Sequence, residues 1–207
     1  VRVRPVSFDV LVEQLADRVA SLGSSRLRVL IDAAPAARPS DLADALVDPL
    51  RLRGRSVLRV SANDFLRPAS LRFEHGRTDP DSYFDDWLDV NGLVREVLDP
   101  AAPDGTGSVL PSLWNPVTDR ASRASYVDVP SHGVVLLDGA LLLGRWLPFE
   151  LTVHLDLSPA ALRRRTPADD HWTLPAFDRY RSDVAPTTVA DVVVRVDDPN
   201  HPAIVDP

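Results

Sequence analysis

The chain has 207 residues, 23 of them basic and 30 acidic, for a formal net charge of −7. Every basic residue is arginine, and lysine, cysteine and methionine are absent, which excludes Schiff-base catalysis, a lysine on nucleotide phosphates, disulfides and thiolate chemistry. The acidic balance argues against nucleic-acid binding. The N-terminal VRVRPVSFDV lacks a signal peptide's apolar run, and no apolar stretch is long enough for a membrane span, so a soluble cytoplasmic protein is expected.

In chain order, residues 7–22 place Val10, Leu11, Leu15, Val19 and Leu22 at helical spacing, with Ser7 or Asp9 as a start and Gly23 as a stop. Residues 27–31 form an apolar run ending in Asp32, expected as a buried strand. Residues 41–53 read as one helix with Leu42, Ala45, Leu46 and Leu50 inward, and 56–60 as a second strand with a polar exit through Asp64. The weakly periodic stretch 66–86 reads as loop with one short helix near 81–88, followed by a helix over 90–98 and a turn over 99–107. Short strands near 109–113 and 126–129 are expected to pair as a hairpin around 115–123.

Two further apolar runs, 134–137 and 151–155, end in Asp138-Gly139 and Asp156. Ser158 with Pro159 suits the start of a helix over 159–165, and a helix over 174–182 precedes a last strand over 191–196. Strands that are continuously apolar and alternate with helices predict an α/β fold, a mainly parallel sheet covered on both faces, as a single domain over 1–207. Ligands of such sheets bind beyond the carboxyl ends of the strands, where Asp32, Asp64 and Asp138 fall.

Between the first strand and its following helix, residues 29–43 read VLIDAAPAARPSDLA. This segment resembles the Walker A loop of the uridine kinase family, P-loop nucleoside kinases whose pattern is strand, Asp-Gly, four residues, Gly-Lys-Ser/Thr, helix. Ala33 stands at the first glycine, Arg38 at the second and Pro39 at the lysine; only Ser40 matches. VSANDF at 60–65 resembles the second-strand motif whose acid faces the substrate 5′-hydroxyl, and Asp64 is the match. DPDSYF at 79–84 is similar to the segment near the nucleoside, and LWN at 113–115 with TDR at 118–120 falls at the substrate hairpin. LLDG at 136–139 resembles the Walker B-like strand end, and residues 156–165 the approach to the arginine lid.

The resemblance implies a three-layer P-loop kinase fold with a small substrate hairpin. It implies Asp64 as general base, Tyr83, Trp114 and Arg120 at the nucleoside, and Ser40 with Asp138 on Mg²⁺. Ala33, Arg38, Pro39, Ser40 and the lid residue Arg165 fall at ATP. The loop chemistry points away from catalysis. Ala33 and Arg38 put a Cβ where close phosphate approach needs glycine, and Pro39 removes an N–H together with the lysine. Asp41 places a carboxylate at the dipole end that a phosphate would occupy. The expectation is therefore a degenerate ATP site in a protein that binds a nucleoside, nucleotide or partner protein. The alternative is an active uridine/cytidine kinase using Mg²⁺ and ATP through a non-standard loop, and a third reading is a purely structural protein.

Other residues have plainer readings. Asp64 equally reads as a turn acid, Asp138 as a structural hydrogen-bond acceptor and Trp87 as packing. Arg51, Arg53, Arg55 and Arg59 read as a solvated helix end, and the five histidines lack metal-ligand spacing. A monomer and a homo-oligomer are both compatible with this composition.

Overall fold

The structure, a computed structural model, describes residues 2–23 and 25–206. In chain order it runs β1 (Arg2–Pro5), α1 (Phe8–Ser21), β2 (Leu27–Ala33), α2 (Pro39–Ala45), α3 (Val47–Leu52), β3 (Val57–Ser61), α4 (Ala69–Arg72), α5 (Pro80–Asp85) and α6 (Val90–Leu93). A small excursion follows with β4 (Ser108–Val109), β5 (Trp114–Asn115), β6 (Arg120–Ala121) and β7 (Val127–Asp128). The chain then completes β8 (Val134–Gly139), β9 (Leu151–Asp156), α7 (Pro159–Arg165), α8 (Leu174–Asp183), α9 (Pro186–Val189), β10 (Val192–Arg195) and β11 (Ala203–Asp206).

Seven strands form one sheet in the order β1-β11-β10-β9-β2-β8-β3. The five strands from β10 to β3 are mutually parallel, and β11 pairs antiparallel to both β10 and β1. Every residue of β2 and of β8 is buried, as their continuous apolar runs require for strands covered on both faces. The predicted α/β class is therefore the observed one. The register sets Asp32 beside Gly139 on one side and His154 on the other, and Ser61 beside Asp138. The acid-bearing strand ends thus gather along one edge of the sheet.

Several local expectations are corrected. In α1 the buried stripe is Leu11, Val12, Leu15, Ala16 and Val19, whereas Val10 and Leu22 are exposed. The single helix expected over 41–53 is broken at Leu46 into α2 and α3, because Pro49 lacks the N–H that the Ala45 carbonyl would accept. The stretch 66–86 holds two short helices, α4 and α5. The helix over 90–98 continues from α6 into a π-helical turn at Val94–Leu98. The single hairpin expected around 115–123 is two nested ladders, β4 with β7 outside and β5 with β6 inside.

Candidate functional site

The loop after β2 closes on itself. Beyond Ala33 the chain makes a 3₁₀ turn at Pro35–Ala37. The N–H groups of Ala37 and Arg38 donate to the carbonyls of Ala34 and Pro35, both at 2.9 Å, and that of Asp41 donates to the Arg38 carbonyl at 3.1 Å. Pro35 and Pro39 have no N–H to offer. Arg38 sits at φ 57° and ψ 57°, the left-handed conformation that suits glycine and costs another residue about 1–2 kcal/mol. Its guanidinium lies 2.5 Å from the Asp41 carboxylate at the start of α2. Pro39 is buried at the first helical position, and Ser40 is exposed.

Beside this loop lies a cleft of about 660 Å³, lined by Arg38, Asp41, Leu42, Arg165, Val196 and Asn200 among others. Arg165 ends α7, where it donates to the carbonyls of Val196 and Asp197, both at 2.8 Å. It braces the segment after β10 from one wall of the cleft.

The acids at the strand ends have three different environments. Asp138 is 4% exposed; Arg59 from β3 donates to its Oδ1 at 2.8 Å, and the Ser61 hydroxyl faces Oδ2 at 3.3 Å. Asp32 is fully buried and accepts from the Leu142 N–H at 2.9 Å, from His154 Nδ1 at 2.7 Å and from the Tyr180 hydroxyl at 3.0 Å. Asp64, in the 3₁₀ turn Ala62–Phe65 after β3, is half-buried, and its carboxylate has no hydrogen-bond partner among the described residues. Burial, and then the charge of Asp138, hold its carboxyl above the usual aspartate range.

An aromatic cluster borders a pocket that Ala62 and Asn63, just before Asp64 in the chain, help to line. Tyr83 packs edge-on against Trp87, Trp172 and Phe177, with ring centroids 4.9, 5.5 and 6.1 Å away. Burial, followed by the nearby Asp170 charge, pushes the Tyr83 phenol up to about 12. This pocket, of about 200 Å³, opens between Asn63, Tyr83, Trp87, Leu141 and Arg145. The buried indole N–H of Trp87 has no partner among the described residues. Arg145 donates to the Leu141 carbonyl at 2.7 Å and to that of Phe84; burial lowers its pKa.

The hairpin candidates lie close by. Trp114 Nε1 donates to Asp119 at 3.0 Å, and Arg120 is exposed beside it in an open cleft of about 460 Å³. The Leu113 N–H donates to the Asp64 carbonyl at 2.9 Å, which ties this hairpin to the exit of β3. The fold thus brings Tyr83 and Trp114 to the neighbourhood of Asp64, while Ala33, Arg38, Pro39, Ser40 and Arg165 gather at the other loop.

Sequence reasoning missed three residues here. Arg59 is the partner of Asp138 and Asp44 rather than a solvated cation; its place in the middle of an apolar strand was the available signal. Asn63 and Arg145 carried none.

No family model matches the chain, and no curated protein matches it. Solved structures do. A possible uridine kinase from Bacillus stearothermophilus superposes with a TM-score of 0.71 at 22% identity, over 88% of this chain and 96% of that one. A candidate fructose transport system kinase from Silicibacter sp. TM1040 gives 0.64 at 19% identity, over 91% and 98%. D-glycerate 3-kinase from Cryptococcus neoformans var. grubii gives 0.52 at 13% identity, over 84% and 80%. The chain has the P-loop kinase fold. No helix among the described residues is long and apolar enough to cross a membrane.

Proposed function

We propose that this is a kinase-fold binding protein whose ATP phosphotransfer is impaired or lost and whose pocket beside Asp64 takes a nucleoside or nucleotide. The observation that carries the first half is the closed loop: the amides of Ala37, Arg38 and Asp41 are spent on its own carbonyls, and Arg38 is spent on Asp41. A phosphate arriving there would have to displace those bonds and sit against the Asp41 carboxylate. The Mg²⁺ pair fares no better. Asp138 already holds the Arg59 guanidinium, so a divalent cation would meet a positive charge, and Ser40 with Asp138 does not fit it as arranged.

The second half draws on Tyr83, Trp87 and Trp114, planar surfaces on which a base can stack, and on the unpartnered Trp87 N–H, which suits a carbonyl acceptor. Similarity to a possible uridine kinase favours a pyrimidine nucleoside over the other substrate classes named among the neighbours. Retained phosphotransfer is the second reading. It is supported by Asp64, whose carboxylate has no partner among the described residues and whose raised pKa suits a general base on a hydroxyl.

Calorimetric titration with ATP and Mg²⁺, alongside thermal denaturation with uridine or cytidine, tests the reading. The expected result is no saturable ATP heat up to millimolar concentration and a nucleoside-dependent rise in Tm, because a ligand of the native state stabilises it. Micromolar ATP binding with turnover of either nucleoside would overturn the first half. A Tm that ignores every nucleoside would overturn the second.

A further inference from the structure

A row of side chains crosses the sheet on the face covered by α8 and α9. The register sets Asp32, His154, Val193 and Val205 side by side on β2, β9, β10 and β11, so their side chains share that face. Asp156 and Arg195 form the next row. Under α8 and α9 this face encloses a cavity of about 400 Å³, whose lining includes His154, Leu162, Phe177, Pro186 and Val193. It is bounded by α8 and α9, whereas the cleft beside Arg38 is bounded by α1 and α2.

His154 is the polar group that these walls do not explain. Its side chain is 7% exposed, and Nδ1 lies 2.7 Å from Asp32 Oδ2. Asp32 also accepts from the Tyr180 hydroxyl and the Leu142 N–H, so the tautomer that completes this set of donors carries its N–H on His154 Nδ1. Burial and the Asp32 charge push Tyr180 well above the usual phenol range and keep it a donor. The other ring nitrogen, Nε2, has no hydrogen-bond partner among the described residues. Asp32 thus fixes the orientation of the imidazole in the cavity wall, and in that tautomer Nε2 is an acceptor.

We propose that this cavity is a second ligand site, for a small aromatic molecule that carries one hydroxyl or ring N–H, of the phenol or indole class. The ring would pack against Leu162, Phe177 and Val193, and its O–H or N–H would donate to His154 Nε2. The mouth favours no charge. Asp156 and the exposed Arg195 stand side by side there, and Arg181 is engaged by the Leu157 carbonyl and Asp178. Pockets of this size, largely apolar with one convergent polar group, are typical small-molecule sites.

The test uses 4-methylphenol and toluene, which share a shape but differ in the donor, on the full chain with ¹⁵N-labelled histidine. 4-Methylphenol is expected to bind saturably, to shift the His154 Nε2 resonance, and to bind about five- to tenfold more tightly than toluene. Thr188→Trp, an exposed change at the mouth, is expected to abolish binding while leaving the His154–Asp32 signals in place. His154→Phe is expected to remove the preference for 4-methylphenol over toluene if the variant folds, and Thr188→Trp carries the test if it does not. Equal affinities for the two probes, an unmoved Nε2 resonance, or unchanged binding in Thr188→Trp would each overturn the proposal.

Discussion

Arg26 is 7% exposed and pairs with no carboxylate among the described residues; it donates instead to the carbonyls of Val129 at 3.1 Å, Ala102 at 2.7 Å and Gly105 at 3.1 Å. Arg55 does the same for Ser25 and His132. Arg28 spans Glu150 and the Leu98 carbonyl. A planar guanidinium spreads five donors over three nitrogens in a fixed fork and so reaches acceptors further apart than the three donors on a single ammonium nitrogen can. An arginine-only composition that looks like simple substitution for lysine therefore has structural content at these sites. Asp64 is the contrasting case, a half-buried acid with nothing donating to it. Its folded pKa lies above the 3.8 of an unperturbed aspartate, so between those two values the folded chain holds a proton that the unfolded chain has released. Stability then falls as pH rises through that window and stays reduced at neutral pH. Asp64→Asn is expected to raise Tm at pH 7 by about 1–3 °C, with the gain shrinking below about pH 4, where both states are protonated. Equal melting temperatures at pH 7 would mean that Asp64 carries no such cost.

At the scale of elements, the loop and α2 form one unit. The backbone at Arg38 keeps a left-handed torsion, the type glycine adopts freely, while the residue is arginine. Against that strain stand the exposed ion pair to Asp41, about 0.2–0.5 kcal/mol, and the lower unfolded-state freedom of a non-glycine residue. Arg38→Gly is accordingly expected to leave the unfolding free energy, read from chemical denaturation, unchanged or to raise it by about 0.5–1 kcal/mol at most. A loss above about 1 kcal/mol would show that the arginine itself holds the loop. The helix-start chemistry was readable in advance, since Pro39 and Asp41 are first-turn residues by type. The break of α2 from α3 was equally present in Pro49 but was hidden by the regular spacing of Leu42, Leu46 and Leu50. The outer ladder, β4 with β7, falls where the hairpin was expected, whereas the inner pair of β5 and β6 could not be read, because two-residue strands have no periodicity.

Across the whole molecule, the parallel strands were legible because a strand buried on both faces must be apolar throughout, as β2 and β8 are. The antiparallel strands β1, at the edge, and β11, beside it, were not. Arg2, Arg4 and Pro5 in β1 suit an edge that must resist further pairing, and such a segment reads as loop. The candidate site was legible only in part for the same reason. Residue type flagged Asp64, Asp138 and the altered loop, but the Arg59–Asp138 pair and the Asp32–His154–Tyr180 group join residues 79, 122 and 148 positions apart and exist only through sheet register.

The central claim is that the loop after β2 has exchanged phosphate binding for its own internal bonds, and its amides report this directly. A ¹H–¹⁵N correlation spectrum of the ¹⁵N-labelled chain, titrated with ATP and Mg²⁺, follows the N–H groups of Ala37, Arg38 and Asp41 one by one. The account predicts that they stay unmoved up to millimolar nucleotide. Saturable shifts confined to those three amides at micromolar nucleotide would contradict it.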